Sequence, residues 1–300
     1  MTPLDILIMA AGKGTRMKSR IPKVLQRLGG RALLRHVLDQ AVHLQARSAI
    51  VITGHCATEV EAATAGAASV GGGFDLKFVR QEPQLGTGHA VQQAVPQLQD
   101  DGTVVVLSGD VPLTQADTLR ALVAASQAVP GGQLALLTVT MDDPTGYGRI
   151  VRNADGAVQG IVEHKDASEA QRAITEIYSG IMAMPARLLR GWLARLTNDN
   201  AQGEYYLTQI VTLAVQDGAP VVAHRISDAL QVAGVNSPLQ LAELERAHQL
   251  RQATALLEQG VRLADPARFD LRDDARTGVR GELLCAQDVE IDVGCIFTGA

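Results

Sequence analysis

The sequence is poor in cysteine, and the few cysteines it has are not arranged for cross-links or metal binding. Its 300 residues include Cys56, Cys285 and Cys295, an odd number without CxxC or Cys/His spacing. This pattern argues against a disulfide framework and against a structural zinc site. Because unpaired cysteines are typical of a reducing compartment, we expect a cytoplasmic protein.

Aromatic residues and positive charge are also scarce. Phe, Trp and Tyr make up 3% of the chain, and the net charge is -5 at pH 7. Nucleic-acid-binding proteins need a cationic surface and often stacking aromatic side chains, so we expect no nucleic-acid partner. No apolar run approaches the roughly 20 residues that cross a bilayer, and residues 1–5 lack the basic segment of a signal peptide, so we expect no membrane association.

Apolar residues, by contrast, make up 46% of the chain, enough for a large α/β core. Short apolar runs at 5–10, 48–53 and 103–107 are typical of buried parallel strands. Helical patterns at 33–44 and 116–125 alternate with these runs. The alternation predicts a doubly wound, Rossmann-like α/β sheet.

A hairpin pattern interrupts this alternation in the middle of the chain. The runs 149–152 and 157–162 flank residues 153–156, whose Asp-Gly pair is typical of a tight turn. The pattern predicts an antiparallel insertion, which would make the sheet mixed.

The C-terminal part has a different organisation. An amphipathic helix pattern begins near Pro238, so we place a first domain at 1–228 and a helical linker at 229–251. The segment 289–299 alternates apolar and polar residues, like one coil of a hexapeptide-repeat β-helix. Because such coils are stable only when several stack, we expect 252–300 to be the start of a truncated β-helix domain. An ordinary C-terminal strand is the alternative.

The most specific motif follows the first predicted strand. The string AAGKGTRM occupies residues 10–17, and Pro22-Lys23 follows it. Gly12 and Gly14 would let backbone N–H groups approach phosphate oxygens at the carboxyl end of a parallel strand. A Walker loop is excluded because the glycine before the Gly-Lys pair and the hydroxyl after it are missing. The dinucleotide fingerprint is excluded because Met17 stands at its third small position.

Charged side chains near these motifs predict a site for a triphosphate and a metal ion. Arg16 could hold phosphate oxygens with its planar fork, and Lys23 could supply a compact positive charge. Asp110 follows the apolar run 103–107 and would reach the sheet edge at which ligands of open α/β proteins bind. Since Mg²⁺ needs only one or two carboxylates besides phosphates and water, Asp110 is a predicted ligand of this ion.

Over essentially its whole length, the chain resembles the N-terminal part of a bacterial family of bifunctional enzymes. The family combines N-acetylglucosamine-1-phosphate uridylyltransferase and glucosamine-1-phosphate acetyltransferase activities. Further strings that carry the resemblance are QEPQLGTGHA at 81–90, GDVP at 109–112, DPTGYGRI at 143–150, IVEHKD at 161–166, GEYYLT at 203–208 and GVN at 234–236.

The resemblance implies a nucleotidyltransferase sheet, a helical arm and the first coil of a left-handed parallel β-helix. It also implies that UTP and N-acetylglucosamine 1-phosphate react, with Mg²⁺, to give pyrophosphate and the cell-wall precursor UDP-N-acetylglucosamine. The parent protein would also acetylate glucosamine 1-phosphate from acetyl-CoA and form a trimer through its β-helix, whereas we expect the fragment to be a monomer. Two alternatives stay open: a related nucleotidyltransferase with other substrates, and a non-catalytic regulator that binds sugar nucleotides.

The resemblance also implies roles for individual residues. Arg16, Lys23 and Asp110 would be catalytic, and Asp110 would share Mg²⁺ with Asn236. Tyr178 stands where the family usually has asparagine, so we expect a changed affinity or selectivity for the sugar. The implied substrate-binding residues are Met9, Ala10, Ala11, Gly12, Gly14, Lys23, Gln81, Gly86, Thr87, Ser108, Gly109, Asp110, Gly148, Glu163, Tyr178, Thr208 and Asn236.

Overall fold

A computed structural model describes residues 2–66, 73–274 and 283–299 of the protein. The strands in this part of the chain are β1 (Leu4–Met9), β2 (Arg27–Leu28), β3 (Arg31–Ala32), β4 (Ser48–Thr53), β5 (Asp75–Arg80), β6 (Thr103–Ser108), β7 (Leu134–Thr140), β8 (Gly148–Arg152), β9 (Val158–Val162), β10 (Glu176–Pro185), β11 (Val221–Ile226), β12 (Arg262–Leu263), β13 (Asp270–Asp273), β14 (Glu290–Ile291) and β15 (Ile296–Gly299). The helices are α1 (Leu33–His43), α2 (Ala57–Thr64), α3 (Thr87–Ala94), α4 (Ala116–Ser126), α5 (Glu169–Arg172), α6 (Ala186–Leu193), α7 (Gln209–Gln216) and α8 (Pro238–Glu258).

One mixed sheet forms the centre of the molecule. Its order is β11-β7-β10-β6-β1-β4-β5, and β8 and β9 extend it beside β10. The neighbours β1–β4, β1–β6, β4–β5 and β7–β11 are parallel, whereas β10 is antiparallel to both β6 and β7. The strands β8 and β9 form the antiparallel pair that the Asp-Gly turn indicates. The prediction of a mixed α/β sheet is therefore confirmed.

Both faces of the sheet are buried, which explains why its central strands are continuous apolar runs. Successive residues of a strand point to opposite faces. Ile6 and Ile8 pack with residues of α1, α2 and α4, whereas Leu7 packs with residues of α3, α6 and α7. All three side chains are fully buried. Each contributes about 1.5–3 kcal/mol to folding, so the two layers hold the strand ends in place.

The helix pattern that begins near Pro238 corresponds to α8, whereas the linker and domain bounds stay predictions. The predicted linker end at residue 251 falls inside α8, which continues to Glu258 because no Gly or Pro interrupts it before Gly260. The helix begins at Pro238, and the Ser237 side chain accepts a 3.2 Å hydrogen bond from Gln240 N. The preceding residues 229–232 form a 3-10 turn.

The segment after α8 forms short parallel pairs, β12 with β14 and β13 with β15. The predicted coil at 289–299 is thus divided into two strands, with Gly294 at φ 78° between them. Residues 275–282 and 300 of the predicted C-terminal domain lie outside the described residues. The interpretation as a β-helix coil remains a prediction.

Candidate active site

A cleft of about 1000 Å³ opens where the parallel strands β1, β4, β5 and β6 end. Residues 9–13 follow β1, Gly54 and His55 follow β4, and residues 81–84 follow β5 along its wall. This is the edge at which open α/β sheets bind ligands. The predicted site residues that line it are Met9, Ala10, Ala11, Gly12, Lys23, Gln81, Gly86, Thr87, Ser108 and Asp110.

The loop after β1 depends on Gly14 more than on Gly12. Gly14 has φ 60°, and a Cβ there would lie 2.6 Å from the Lys23 Cβ. A larger residue would therefore push the loop away from Lys23. A Cβ at Gly12 would meet nothing within 4 Å, so this glycine leaves open space beside the cleft. Arg16 is exposed on the following 3-10 turn and is not among the residues that line the cleft.

Three side chains from distant parts of the chain meet at one point, those of Lys23, Asp110 and Asn236. The Lys23 ammonium donates to Asp110 Oδ2 and, over 3.2 Å, to Asn236 Oδ1. The side chains of Lys23 and Asp110 are 15% and 12% exposed. Such limited contact with water leaves the attraction between the two charges only partly screened.

Backbone contacts fix the two oxygen-bearing residues of this cluster. Val235 N donates to Asp110 O over 2.9 Å, which ties the loop before α8 to the end of β6. Asn236 N donates to Gln240 Oε1 over 2.9 Å, which holds Asn236 against the first turn of α8. Gly109 N donates to Met9 O over 2.9 Å and thereby joins the ends of β6 and β1.

The donor set of the cluster fits a divalent metal ion. A carboxylate oxygen of Asp110 and an amide oxygen of Asn236 converge on a single cationic group, the Lys23 ammonium. Oxygen ligands of this kind suit Mg²⁺, which commonly takes its remaining ligands from water and substrate phosphates. Within the described residues no group of three or more His, Cys, Asp and Glu side chains could hold a metal. An ion bound here would therefore take its remaining ligands from water or from substrate phosphates.

Gln81 lines the cleft, and the protein already bonds one of its two polar groups. Its Nε2 lies 2.8 Å from Gly86 O and 3.2 Å from His89 Nδ1. Because a carbonyl oxygen only accepts, the atom facing Gly86 O must be the amide nitrogen. The amide nitrogen of Gln81 is therefore already used by the protein. The acceptor Oε1 remains for a ligand.

Gly148, Glu163 and Thr208 lie together on the β8–β9 side of the molecule. Thr208 Oγ1 donates to Glu163 Oε1 over 2.8 Å, and a Cβ at Gly148 would lie 3.7 Å from Glu163 Oε2. Glu163 and Thr208 line a smaller cavity of about 240 Å³. Burial raises the pKa of Glu163, because the desolvated carboxylate loses hydration.

Tyr178 lies opposite Gly148 in the β8–β10 pairing, but its ring is part of the core. The side chain is 7% exposed, and its hydroxyl oxygen has no hydrogen-bond partner among the described residues. Burial, with the nearby Glu163 carboxylate, raises the pKa of Tyr178 well above its ordinary value. The Tyr178 ring therefore packs inward, and its effect on sugar affinity or selectivity stays a prediction.

A scan of protein-family models matches residues 6–263 to the MobA-like NTP transferase domain. The chain belongs to the MobA-like NTP transferase family. NTP transferases use a nucleoside triphosphate, which agrees with a cleft that begins at a glycine-rich loop after β1. The metal-compatible oxygens of Asp110 and Asn236 are consistent with the divalent cofactor of such enzymes.

Among curated relatives of this NTP transferase are several that are called bifunctional protein GlmU. The chain is 80% identical over 299 residues to that of Paracidovorax citrulli, covering 100% of this chain and 62% of the relative. It is 79% identical to that of an Acidovorax species, with the same coverage, and 54% identical to that of Bordetella petrii, covering 99% and 62%. The chain thus spans about 62% of the length of these relatives.

A solved structure supports the NTP transferase fold. A nucleotidyl transferase from Methanothermobacter thermautotroptrophicus superimposes with a TM-score of 0.55 at 21% identity, covering 84% of this chain and 100% of that one. At this identity the likeness shows the fold alone. None of the described helices is long and apolar enough to cross a bilayer.

Some polar residues of the NTP transferase cleft were not predicted from the sequence. Lys13, Arg80 and Gln84 line it, and Gln84 Nε2 donates to Ala11 O on the glycine loop. Arg80 also pairs with Glu61 over 2.7 Å, and this partner raises the pKa of the guanidinium. Sequence position could have indicated two of these residues. Arg80 ends β5, and Gln84 belongs to the same sequence string as Gln81.

Proposed function

We propose that the chain is a uridylyltransferase that converts UTP and N-acetylglucosamine 1-phosphate into UDP-N-acetylglucosamine and pyrophosphate. The observation that carries this proposal is the contact of Asn236 with Lys23, which together with Asp110 lines a cleft beside the glycine loop. The motif strings and the identity of 80% to a bifunctional protein GlmU support the choice of substrates. UDP-N-acetylglucosamine made this way would serve peptidoglycan and lipopolysaccharide synthesis in the cytoplasm.

The proposed reaction needs no general base. The attacking phosphate has a second pKa near ~6, so it is largely dianionic at neutral pH. The obstacle is the repulsion between this anion and the triphosphate, which the protein must offset by alignment and charge. Lys23 lines the cleft and Arg16 follows the glycine loop, so these two residues would neutralise phosphate oxygens.

We further propose that Asp110 and Asn236 hold Mg²⁺. When bound, the ion would screen the negative charge of the phosphate oxygens. The protein would contribute a fixed pair of oxygens, because Val235 N and Gln240 Oε1 restrain the backbone of the two residues.

The remaining predicted residues would contact either the uracil or the sugar of the substrates. Gln81 would accept from the uracil N–H with its free oxygen, near Gly86 and Thr87. Glu163 and Thr208, beside Gly148, would contact sugar hydroxyl groups. Tyr178, which lies opposite Gly148 and has a buried hydroxyl, would shape the sugar pocket through its packing rather than by direct contact.

The domain organisation is proposed on the same basis. Residues 1–228 would form the transferase domain, α8 the helical arm, and the pairs β12–β14 and β13–β15 the beginning of a left-handed β-helix. The parent protein would also acetylate glucosamine 1-phosphate with acetyl-CoA and form a trimer through that β-helix.

Pyrophosphate release tests the proposal, with a panel of four nucleoside triphosphates and of glucose 1-phosphate, glucosamine 1-phosphate and N-acetylglucosamine 1-phosphate. We expect turnover with UTP, N-acetylglucosamine 1-phosphate and Mg²⁺, and none after chelation of the metal. Asp110→Ala and Lys23→Ala should each lower kcat at least about 10²-fold, the scale for losing one preorganised electrostatic contact. Asp117→Ala, which removes a carboxylate 92% exposed on α4, is the matched control and should keep full activity.

Three outcomes would contradict the proposal. Faster turnover of another substrate pair would identify a related nucleotidyltransferase. Tight binding of UDP-N-acetylglucosamine without any pyrophosphate release would identify a non-catalytic regulator. Near-normal kcat in folded Asp110→Ala protein would remove Asp110 from the catalytic set.

A further inference from the structure

The Lys23 ammonium lies at the point where a metal ion would have to bind. It donates to Asp110 Oδ2 and to Asn236 Oδ1, the two oxygens proposed as protein ligands of Mg²⁺. The contact is partly shielded from water, since the two charged side chains are 15% and 12% exposed. The metal site therefore already contains a cation supplied by the protein.

We propose that Lys23 is a displaceable occupant of the metal site, so that a divalent ion enters only as the ammonium leaves. The inference rests on the proposed function, which assigns Asp110 and Asn236 as the metal ligands. It adds that metal binding and the Lys23–Asp110 ion pair are mutually exclusive.

The geometry of the two cations requires this exclusion. Mg²⁺ binds oxygens at about 2.0–2.1 Å, closer than a hydrogen-bonded ammonium nitrogen. An ion held by the same two oxygens would lie almost on top of Lys23 Nζ. The two positive charges would then repel each other at short range in a site with little water to screen them.

Lys23, rather than the oxygens, is the part that can move. The backbone of Asp110 and of Asn236 is held by hydrogen bonds with Val235 N and Gln240 Oε1, and the short side chains of these two residues give their oxygens little reach. The Lys23 backbone is fixed by the 3-10 turn Lys23–Leu25, but its ammonium sits on a flexible four-carbon stem. Because Lys23 also lines the cleft, a displaced ammonium stays within the cleft that would receive substrate phosphates.

Displacement would couple metal binding at Asp110 and Asn236 to the release of the Lys23 ammonium. Without metal, the Lys23 ammonium is paired with Asp110 and is not available to bind phosphate oxygens in the cleft. Metal entry releases that charge toward the phosphate oxygens, so both cations become available together. Arg16 offers the matched comparison, because it is an exposed cation on the neighbouring turn whose side chain makes no hydrogen bond or ion pair with a described residue.

Direct binding of Mn²⁺ to the whole chain, without nucleotide, tests the inference. Free Mn²⁺ is measured by electron paramagnetic resonance at millimolar metal for the wild-type protein, K23M, K23R and R16M. We expect K23M to bind Mn²⁺ about tenfold more tightly than wild type, a change of about 1.4 kcal/mol. K23R keeps the charge and R16M removes one that does not touch Asp110, so both should stay within about twofold of wild type.

Thermal unfolding gives a second readout. A ligand that binds only the folded state stabilises it by an amount that grows with its affinity. The rise in Tm on adding Mn²⁺ should therefore be larger for K23M than for wild type and R16M. The metal-free Tm values also show that each variant is folded.

D110N separates failure of this inference from failure of the proposed metal site. If D110N binds Mn²⁺ as wild type does, the assignment of Asp110 as a ligand is wrong, and the inference falls with it. If D110N weakens binding but K23M does not tighten it, only the displacement is refuted. Equal tightening in K23M and R16M, or no detectable Mn²⁺ binding to K23M, would also overturn the inference.

Discussion

The polar atoms at the site differ in whether the protein already gives them a hydrogen-bond partner. Gln81 Nε2 is bound to Gly86 O and Glu163 Oε1 to Thr208 Oγ1, whereas the hydroxyl of Tyr178 has no partner among the described residues. A buried hydroxyl without a partner costs about 1–3 kcal/mol. We therefore expect Tyr178 to reveal its role by the effect of removing only that oxygen.

Tyr178→Phe should leave the free energy of unfolding unchanged or raise it by about 1 kcal/mol, because the unsatisfied hydroxyl is lost and the ring stays. The KM values for N-acetylglucosamine 1-phosphate and for UTP should both stay within about twofold of wild type, because the buried hydroxyl lines neither the cleft nor the smaller cavity among the described residues. Denaturant unfolding and steady-state kinetics measure both. A loss of stability above about 1 kcal/mol would show that the hydroxyl is paired.

Tyr178→Asn, the residue that the resemblance favours, serves as the contrast. It removes a ring that packs in the core and leaves a cavity, so it should cost about 2–4 kcal/mol of stability. A change in sugar affinity in this variant would have two causes, the lost packing and an altered contact, that the measurement does not separate. The phenylalanine variant is the cleaner test for this reason.

At the scale of elements, the loop between β5 and α3 is shaped by its glycine. Gly86 has φ 108° and ψ 174°, a backbone region open almost only to glycine. A Cβ there would lie 2.7 Å from Tyr205 O and 2.9 Å from Tyr205 N. The loop can therefore lie against residue 205 only with glycine at this position, and Gln81 is held by the same loop.

Gly86→Ala should destabilise the protein by at least about 2 kcal/mol, because backbone strain and a clash with backbone atoms add. It should also raise the KM for UTP, since the Gly86 carbonyl that orients Gln81 would move. Gly260→Ala is the matched control: its φ is 92°, but a Cβ there meets nothing within 4 Å. It should cost only about 1–2 kcal/mol and leave KM unchanged, so equal effects in both variants would contradict the account.

Elements with a clear period were predictable, whereas the place and direction of β10 in the sheet were not. The runs at β1, β4 and β6 were recognised because their apolar side chains are continuous and β-branched, and α1 and α4 because of their helical spacing. The position of β10 between β6 and β7 could not be foreseen, because its apolar run does not show which way it pairs.

The candidate site was predictable in the same uneven way. The glycine loop and Asp110 follow predicted strands, so local sequence and the rule on sheet edges locate them. Asn236 meets Lys23 across 213 residues of sequence, and local sequence carries no signal for such a contact. Asn236 and Glu163 were therefore reached by resemblance alone, and the core position of Tyr178 was missed because residue type alone does not show burial.

At the scale of the whole molecule, α8 links the proposed metal site to the C-terminal strands. Asn236 lies just before this helix, and Glu245 within it accepts from Gly29 N over 2.7 Å. Asp273 N of β13 donates to Gly29 O over 2.8 Å, so the β2–β3 turn contacts both elements. The position of Asn236 thus depends on packing that extends well beyond the cleft.

The central claim is that Asp110 and Asn236 together hold a divalent ion beside the phosphates, with Lys23 released from them. Anomalous diffraction from crystals grown with Mn²⁺ and UDP-N-acetylglucosamine tests it most directly. We expect a manganese peak within coordination distance of Asp110 and Asn236, the diphosphate next to it, and the Lys23 ammonium turned away from Asp110. A peak or a diphosphate remote from these two side chains would contradict the account.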